Sequence, residues 1–437
     1  MPAAADDVRR LVPGPREPAA VQVLRFMRDE PGYTAELHAR HGDVFHIRIE
    51  RRRWVVLADP EHVKQLFTTP PDVVHAGDAN EILRPVLGPH SVLVLDEGEH
   101  LRQRRLLLPQ FHGERLAAWR SEMERVAAEQ VRRMPPGRPF SLRPHLTAIA
   151  LEVILQVVLG TRGAEEHDRL AGPVDRLLAF LGRPSALLLP LAAGPDSPLV
   201  RRQLAPLLAP VDRELYRLIA ERRAAGDLTE RTDVLSLLLG ARDEDGTPMT
   251  DAELRDELVT LIVAGHETTA TALAWAFERL TRDPQRLARL ETEAAAGTER
   301  TYAEAVFREA LRLRPVLNNV LRTVVRPVEI GGTTFPPGVV LAPSILLIHR
   351  RPEVYPEPQA FRPERWLGQS PGTYTWIPFG GGTRRCIGAA FAQMEMEVVL
   401  HAIARAVRLE PVGAPERPVA RFITASPERG GEVRIAA

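Results

Sequence analysis

Between residues 251 and 282 the chain carries a helical pattern too long and too apolar to lie on a surface, and any fold must be built around it. Thr250 and Glu253 form a T-x-x-E capping box at its start, and Asp283-Pro284 closes it. About 32 residues at 1.5 Å each reach about 48 Å, enough to cross a whole domain. Residues 258–265 are almost all apolar, so this part is expected to be buried on every side. Thr260, Ala264, Thr268 and Ala272 recur every four residues, with Gly265 beside them. Such a stripe of small side chains would let another helix approach closely, or let something flat lie against this one.

The rest of the chain reads as helices around that element. A helix over 21–40 leads into short strands at 44–49 and 54–57, and helical patterns alternate with Pro/Gly-marked connections to about residue 325. A short β-rich stretch follows, with turn signals at Gly331-Gly332 and Pro336-Pro337-Gly338. Residues 349–378 are Pro-rich and aperiodic, which predicts a packed irregular loop, and a last helix is predicted over 388–407 before a short β-like tail. Neither an internal repeat nor a linker divides the sequence. The expectation is one mainly α domain with a minor β portion over 1–437, with 1–18 as a flexible N-terminal segment.

Composition removes several function classes. The 57 basic residues balance the 57 acidic ones, which gives no footprint for a phosphate backbone and hence no nucleic-acid partner. A single cysteine excludes an intrachain disulfide and a cysteine-rich zinc site. Residues 1–18 lack an apolar stretch of signal or anchor length, and 186–193 is too short to span a bilayer. A cytoplasmic protein without a membrane anchor is expected. His266-Glu267 invites a zinc-protease reading, but H-E-x-x-H needs a histidine where Ala270 stands. A P-loop fails as well, because the only lysine, Lys64, follows Val63.

The one cysteine sits in Phe379-Gly380-Gly381-Gly382-Thr383-Arg384-Arg385-Cys386-Ile387-Gly388, between the irregular loop and the last helix. Four glycines around one cysteine imply a tightly turned backbone in close contact with something. A sulfur just ahead of a helix N-terminus, with Arg384 nearby, is favoured as thiolate and suited to ligating iron. A buried free cysteine is the plain alternative. A nucleophilic cysteine would need a histidine base, and none is close in sequence.

This loop resembles the haem-ligand loop of the cytochrome P450 family, F-x-x-G-x-R-x-C-x-G, at every fixed position, and further landmarks follow in family order along nearly the whole chain. Glu309-Ala-Leu-Arg312 resembles the E-x-x-R motif, whose i, i+3 spacing lets the two side chains pair. Alone that spacing is weak, since it recurs at Glu129/Arg132 and Glu214/Arg217. Phe361-Arg-Pro-Glu-Arg365-Trp366 resembles the segment carrying the third partner, so Glu309, Arg312 and Arg365 are implied as a structural network. His100-Leu-Arg-Gln-Arg104 resembles the H-x-x-x-R pattern that binds haem propionates, and Arg322 and Arg384 match two further propionate ligands. Ala264-Gly-His-Glu267-Thr268-Thr269 matches the oxygen-binding stretch, which assigns Thr268 to hydrogen-bonding dioxygen and Glu267 to proton delivery.

The resemblance therefore implies a cytochrome P450 fold, with haem b between the long helix and the cysteine loop and last helix. Cys386 would be the iron ligand, and His100, Arg104, Ala264, Arg322, Phe379, Arg384 and Gly388 would line the cofactor. It implies insertion of one oxygen atom of O2 into a lipophilic substrate, by hydroxylation or epoxidation. Electrons would come from separate redox proteins such as a ferredoxin and its reductase, and a monomer is expected. Arg102, Arg105 and Arg385 would form a basic patch for an acidic carrier. By the same resemblance, pocket walls come from 78–95, 180–199, 316–320 and 422–423. Asn318-Asn319 would touch a substrate oxygen or cap a turn. The alternatives are a peroxide-driven peroxygenase, which usually lacks the acid–alcohol pair, and a non-catalytic haem sensor or carrier, which needs no proton relay.

Overall fold

Thr250 and Glu253 make the reciprocal capping box at the head of the long helix: the Thr250 N–H donates to Glu253 at 2.7 Å and the Glu253 N–H to the Thr250 hydroxyl at 3.2 Å. The computed structural model describes residues 8–49, 52–111, 113–161, 163–183, 186, 188–297 and 299–436. In chain order, the elements that position the site begin with α1 (Ala19–His41), β1 (Val44–Ile49), β2 (Arg52–Leu57), α2 (Pro60–Thr68) and β3 (Val74–His75). Then come α3 (Glu97–Leu107), α4 (Glu114–Arg132), α5 (Arg143–Val153), α6 (Pro198–Ala224), α7 (Asp251–Leu280) and α8 (Thr301–Leu313). Strands β4 (Arg322–Val324) and β5 (Val340–Pro343), helix α9 (Ala389–Ala406) and the hairpin β6 (Pro418–Arg421)–β7 (Thr424–Pro427) complete the set.

The long helix ends at Leu280, two residues before the sequence expectation. Asp283 turns outward to cap the following helix, accepting from the Arg286 N–H, with Pro284 in its first turn. Around α7 the largest apolar core gathers α4, α5, α6, α8 and α9. Gly265 of α7 lies where a Cβ would stand 3.1 Å from Ile154 Cδ1, so α5 and its π-helical extension Ile154–Val158 pack closely on that flank. The adjacent flank behaves differently. Ala264 is exposed in the middle of an otherwise buried helix, with Leu261 and Thr268 partly exposed on the same face. The small-residue stripe thus serves helix packing at Gly265 and an open space at Ala264.

Five short strands form a mixed sheet in the order β1-β2-β5-β4-β3, with β2 and β5 parallel and the other pairs antiparallel. Its function here is placement, since β4 begins at Arg322, opposite Leu341 of β5. Of the 1–18 segment, residues 1–7 lie outside the described residues, while Val8 and Val12 are buried against Val55 and Leu57 of β2. Among the described residues no helix is long and apolar enough to cross a membrane.

Candidate active site

Residues 379–388 fold into a tight loop that enters α9. The Cys386 N–H donates to the Phe379 carbonyl at 2.9 Å, and the Arg385 N–H to that of Gly382 at 3.1 Å. Gly382 holds φ +64°, and a Cβ there would collide with the Phe67 carbonyl at the end of α2, while one on Gly381 would strike the Phe67 ring. These glycines therefore permit close approach as well as turning. Gly388 is the N-cap of α9, and its N–H donates to the cysteine sulfur. Cys386 is exposed, yet the surrounding protein desolvates its thiol and pushes the pKa up, against the opposing pull of the Gly388 N–H, Arg104 and Arg385. A sulfur both exposed and desolvated lines an internal space. A metal ion there would take it as thiolate.

Cations converge on that space. His100 is almost fully buried, its Nδ1 has no partner, and burial followed by the charges of Arg384, Arg104 and Arg322 drives its pKa down to about 3. Arg322 lies over the Phe67 ring, 5.7 Å from its centroid, and its side-chain hydrogen bond goes to the adjacent Leu321 carbonyl at 2.8 Å. Burial and then Arg384 lower it to about 10. Arg384 donates to the carbonyls of Val92 at 3.1 Å and Leu95 at 2.5 Å, and to Asp96 at 2.5 Å. Asp96 in turn accepts from the N–H groups of Ala76, Gly77 and Asp78 at 2.8–2.9 Å. With His100 neutral, Arg322 and Arg384 feel the carboxylate of Asp96 while Arg104 feels Cys386 and Arg385, so the three guanidinium groups outnumber that one carboxylate by two. A buried surplus of that size suits the two propionates of a haem.

On the α7 side, the Thr268 hydroxyl donates to the Ala264 carbonyl at 2.6 Å, so its oxygen remains an acceptor toward the open face. Glu267 lies on a different flank. Both of its oxygens accept from Arg143 Nη2 at 2.6 Å, and Thr271 Oγ1 is 3.5 Å from Oε1. His266 is 4% exposed with neither ring nitrogen partnered, and burial followed by Arg143 lowers it to about 4, so it is a neutral core residue. Next to Thr268, the Thr269 hydroxyl hydrogen-bonds Glu395 of α9, whose pKa burial raises to about 8. The two helices bordering the space are thereby tied together.

Glu309 and Arg312 are both 0% exposed and pair through two bonds of 2.8 Å, from Nη2 to Oε1 and from Nε to Oε2. Arg365 adds 3.1 Å to Oε1, the Trp366 indole N–H 3.0 Å to Oε2, and the Arg362 N–H 2.8 Å to Oε1. Arg312 also donates to the carbonyls of His349, Pro358 and Ala360. Six points of the irregular 349–366 stretch are thus stitched to one helical turn.

Two sequence expectations change. Asn318 and Asn319 neither reach toward substrate nor cap a turn: their amides donate to Glu30 of α1 at 3.0 and 2.6 Å, and burial lifts that carboxyl to about 7. The basic patch loses Arg102, which is engaged by Asp243 and Glu253 at 2.6 and 2.5 Å, while Arg105 stays exposed beside Glu244 at 2.8 Å. Sequence reasoning also missed Arg143 and Asp96, and it quoted Trp366 without giving it a role. Only Asp96 had a signal, its place just ahead of α3, where it looks like a helix cap and instead holds the 76–78 backbone. A small, mostly apolar pocket is lined by Ile82, Val86, Leu181, Leu204 and Phe422 among others.

Comparison with known proteins identifies the family and the fold. The model of the family described as cytochrome P450 matches residues 13–433. A curated relative, cytochrome P450 135B1 of Mycobacterium tuberculosis, is 40% identical over 436 residues, covering 98% of this chain and 92% of the relative. Cytochrome P450 137 of the same species is 40% identical over 382 residues, covering 87% of this chain and 80% of the relative. Among solved structures, a retinoic acid-bound cyanobacterial CYP120A1 superimposes with a TM-score of 0.82 at 22% identity, covering 98% of this chain and 99% of that one. The haem domain of cytochrome P450DA does so at 0.83 and 23%, covering 97% of each chain. At that identity the two structures speak for the fold alone.

Proposed function

The chain belongs to the cytochrome P450 family of haem-thiolate monooxygenases, and on that premise we propose that it hydroxylates or epoxidises a lipophilic small molecule with O2. The observation that carries this reading is the desolvated but exposed Cys386, bordered by three arginines and by an α7 whose open face presents Ala264 and Thr268. We assign Cys386 as the axial ligand of haem b. His100, Arg104, Arg322 and Arg384 would hold its propionates, while Phe379, Gly388 and Ala264 would flank the ring. Bound there, the haem would supply the redox chemistry that activates dioxygen. Thr268, with its own proton committed to Ala264, would accept a hydrogen bond in the space and keep a water in line. Glu267 would carry protons from the Arg143 side, and the ion pair would set its orientation. Electrons would arrive from a ferredoxin and its reductase, the whole chain would act as one cytoplasmic catalytic unit, and a monomer suffices for the site. The apolar pocket at Val86, Leu204 and Phe422 supports a lipophilic substrate.

The test is coupling. In Thr268→Ala, haem binding and substrate affinity should stay near wild type while NADPH consumption is diverted to peroxide and water. Directed proton transfer contributes about 10²–10⁴-fold, so product formed per NADPH should fall at least about tenfold. Glu267→Gln should slow product formation without loss of haem. Unchanged coupling in both variants would remove the proton-relay reading and favour a peroxide-driven or sensor function.

A further inference from the structure

The break in α1 at Asp29, the end of α8 and the C-terminal hairpin border a small cleft that, Asn318 apart, none of the candidate site residues lines. Pro31, Pro315 and Pro418 form part of its rim, Trp275 of α7 part of its wall, and two arginines, Arg314 and Arg350, reach it. Arg314 follows directly on α8, and its guanidinium lies over the Trp275 ring, 5.3 Å from the centroid. Its one side-chain hydrogen bond is a 3.4 Å contact to the adjacent Leu313 carbonyl. The Nε atoms of Arg314 and Arg350 are both buried without a partner.

The nearby carboxylates are occupied or distant. Glu278, which acts on Arg314, already binds Arg279 and Arg282 and accepts the Glu416 N–H. Asp29 acts on Arg350 by charge, while its carboxylate accepts the Gly32 N–H. Glu30 is taken up by Asn318 and Asn319. Burial, and then neighbouring arginines, lower Arg314 and Arg350 to about 10 each, and Arg350 is among the groups acting on Arg314. Two other buried arginines are saturated, Arg222 with four hydrogen bonds and Arg312 with five, whereas Arg322, beside the cysteine loop, has one to the adjacent carbonyl. Arg314 and Arg350 are like Arg322 in being cations short of acceptors beside an open space.

We propose that this cleft binds a compact oxyanion of the phosphate or sulfate class, held jointly by Arg314 and Arg350. A tetrahedral oxyanion can accept N–H donors from two guanidinium groups at once and neutralise their repulsion. It would bind where α1, α8 and the hairpin meet, the hairpin already being pinned by the Trp275 N–H to the Ala425 carbonyl at 2.8 Å. The proline rim favours the free ion over an oxyanion carried on a larger molecule. The site is independent of the reading of the haem pocket.

Thermal unfolding of the haem-loaded protein, in chloride and phosphate buffers of equal ionic strength, tests this. Inorganic phosphate should raise the midpoint saturably, by about 2 °C, as a ligand of the native state does. Glycerol phosphate should raise it less. Arg314→Gln and Arg350→Gln should each lose most of the rise, and Arg417→Gln, which removes an exposed charge paired with Glu428, should keep it. In chloride alone, Arg350→Gln should unfold no lower than wild type, because one of two repelling buried cations is gone. The proposal is overturned by the absence of a saturable phosphate effect, or by an equal rise in every variant, which means an adventitious ion only. A marked loss of stability of Arg350→Gln in chloride also overturns it, since that arginine would then already have its partner.

Discussion

Replacing Cys386 with serine should abolish the strongly red-shifted Soret band that the reduced, carbon monoxide-treated protein is expected to show. That band requires a thiolate on the iron, and the chain has no second cysteine to substitute. A hydroxyl at 386 would still meet the Gly388 N–H but would remain protonated and a poor donor. The variant should fold, because Cys386 is exposed into the internal space and contributes little burial; substitutions away from a packed core change stability by about 0.5 kcal/mol or less. An unchanged far-ultraviolet circular dichroism spectrum alongside the lost Soret band would separate loss of the ligand from loss of the fold. Survival of the band in the serine variant would remove the assignment of Cys386 and everything built on it.

The largest stability effect is expected at Glu309. Its carboxylate is fully buried and receives Arg312, Arg365, Trp366 and the Arg362 N–H. Glu309→Gln leaves two guanidinium groups around a neutral amide, one of whose ends now donates where it should accept. Breaking a buried pair by removing one partner costs roughly 3–5 kcal/mol. The 349–366 stretch should loosen first, because it has little regular structure to fall back on. The purified variant should therefore hold less haem and unfold at lower denaturant. Glu214→Gln is the internal control, since Glu214 and Arg217 have the same spacing at 2.9 Å but are partly exposed. A surface pair of that kind contributes about 0–1 kcal/mol. Equal destabilisation by the two substitutions would show that the buried network has no special role.

These two cases show what kind of information is local. The capping box, the apolar centre of α7 and the glycine-rich cysteine loop all depend on residues within a few positions of one another, where backbone geometry leaves few alternatives. The i, i+3 spacing of Glu309 and Arg312 is equally local, but the same spacing at Glu214 and Arg217 produces a surface pair. Spacing alone could not tell the two apart. Burial did, and burial depends on which face of α8 the rest of the chain covers.

The sequence by itself therefore determined the long central helix, the cysteine loop ahead of the last helix, and the membership of one family that these residues imply. Only the tertiary structure decided which charges meet. Arg143 reaches Glu267 across 124 positions, Asn319 reaches Glu30 across 289, and Arg102 turns from a docking patch toward Asp243 and Glu253. The physical reason lies in the composition. With 57 basic and 57 acidic residues, nearly every charge has many possible partners of similar chemistry, and Coulomb attraction does not choose among them by sequence distance. Packing chooses: burying the apolar faces of α5, α7 and α9 brings some acids and bases together, leaves others in water, and strands Arg314 and Arg350 beside a cleft with few acceptors.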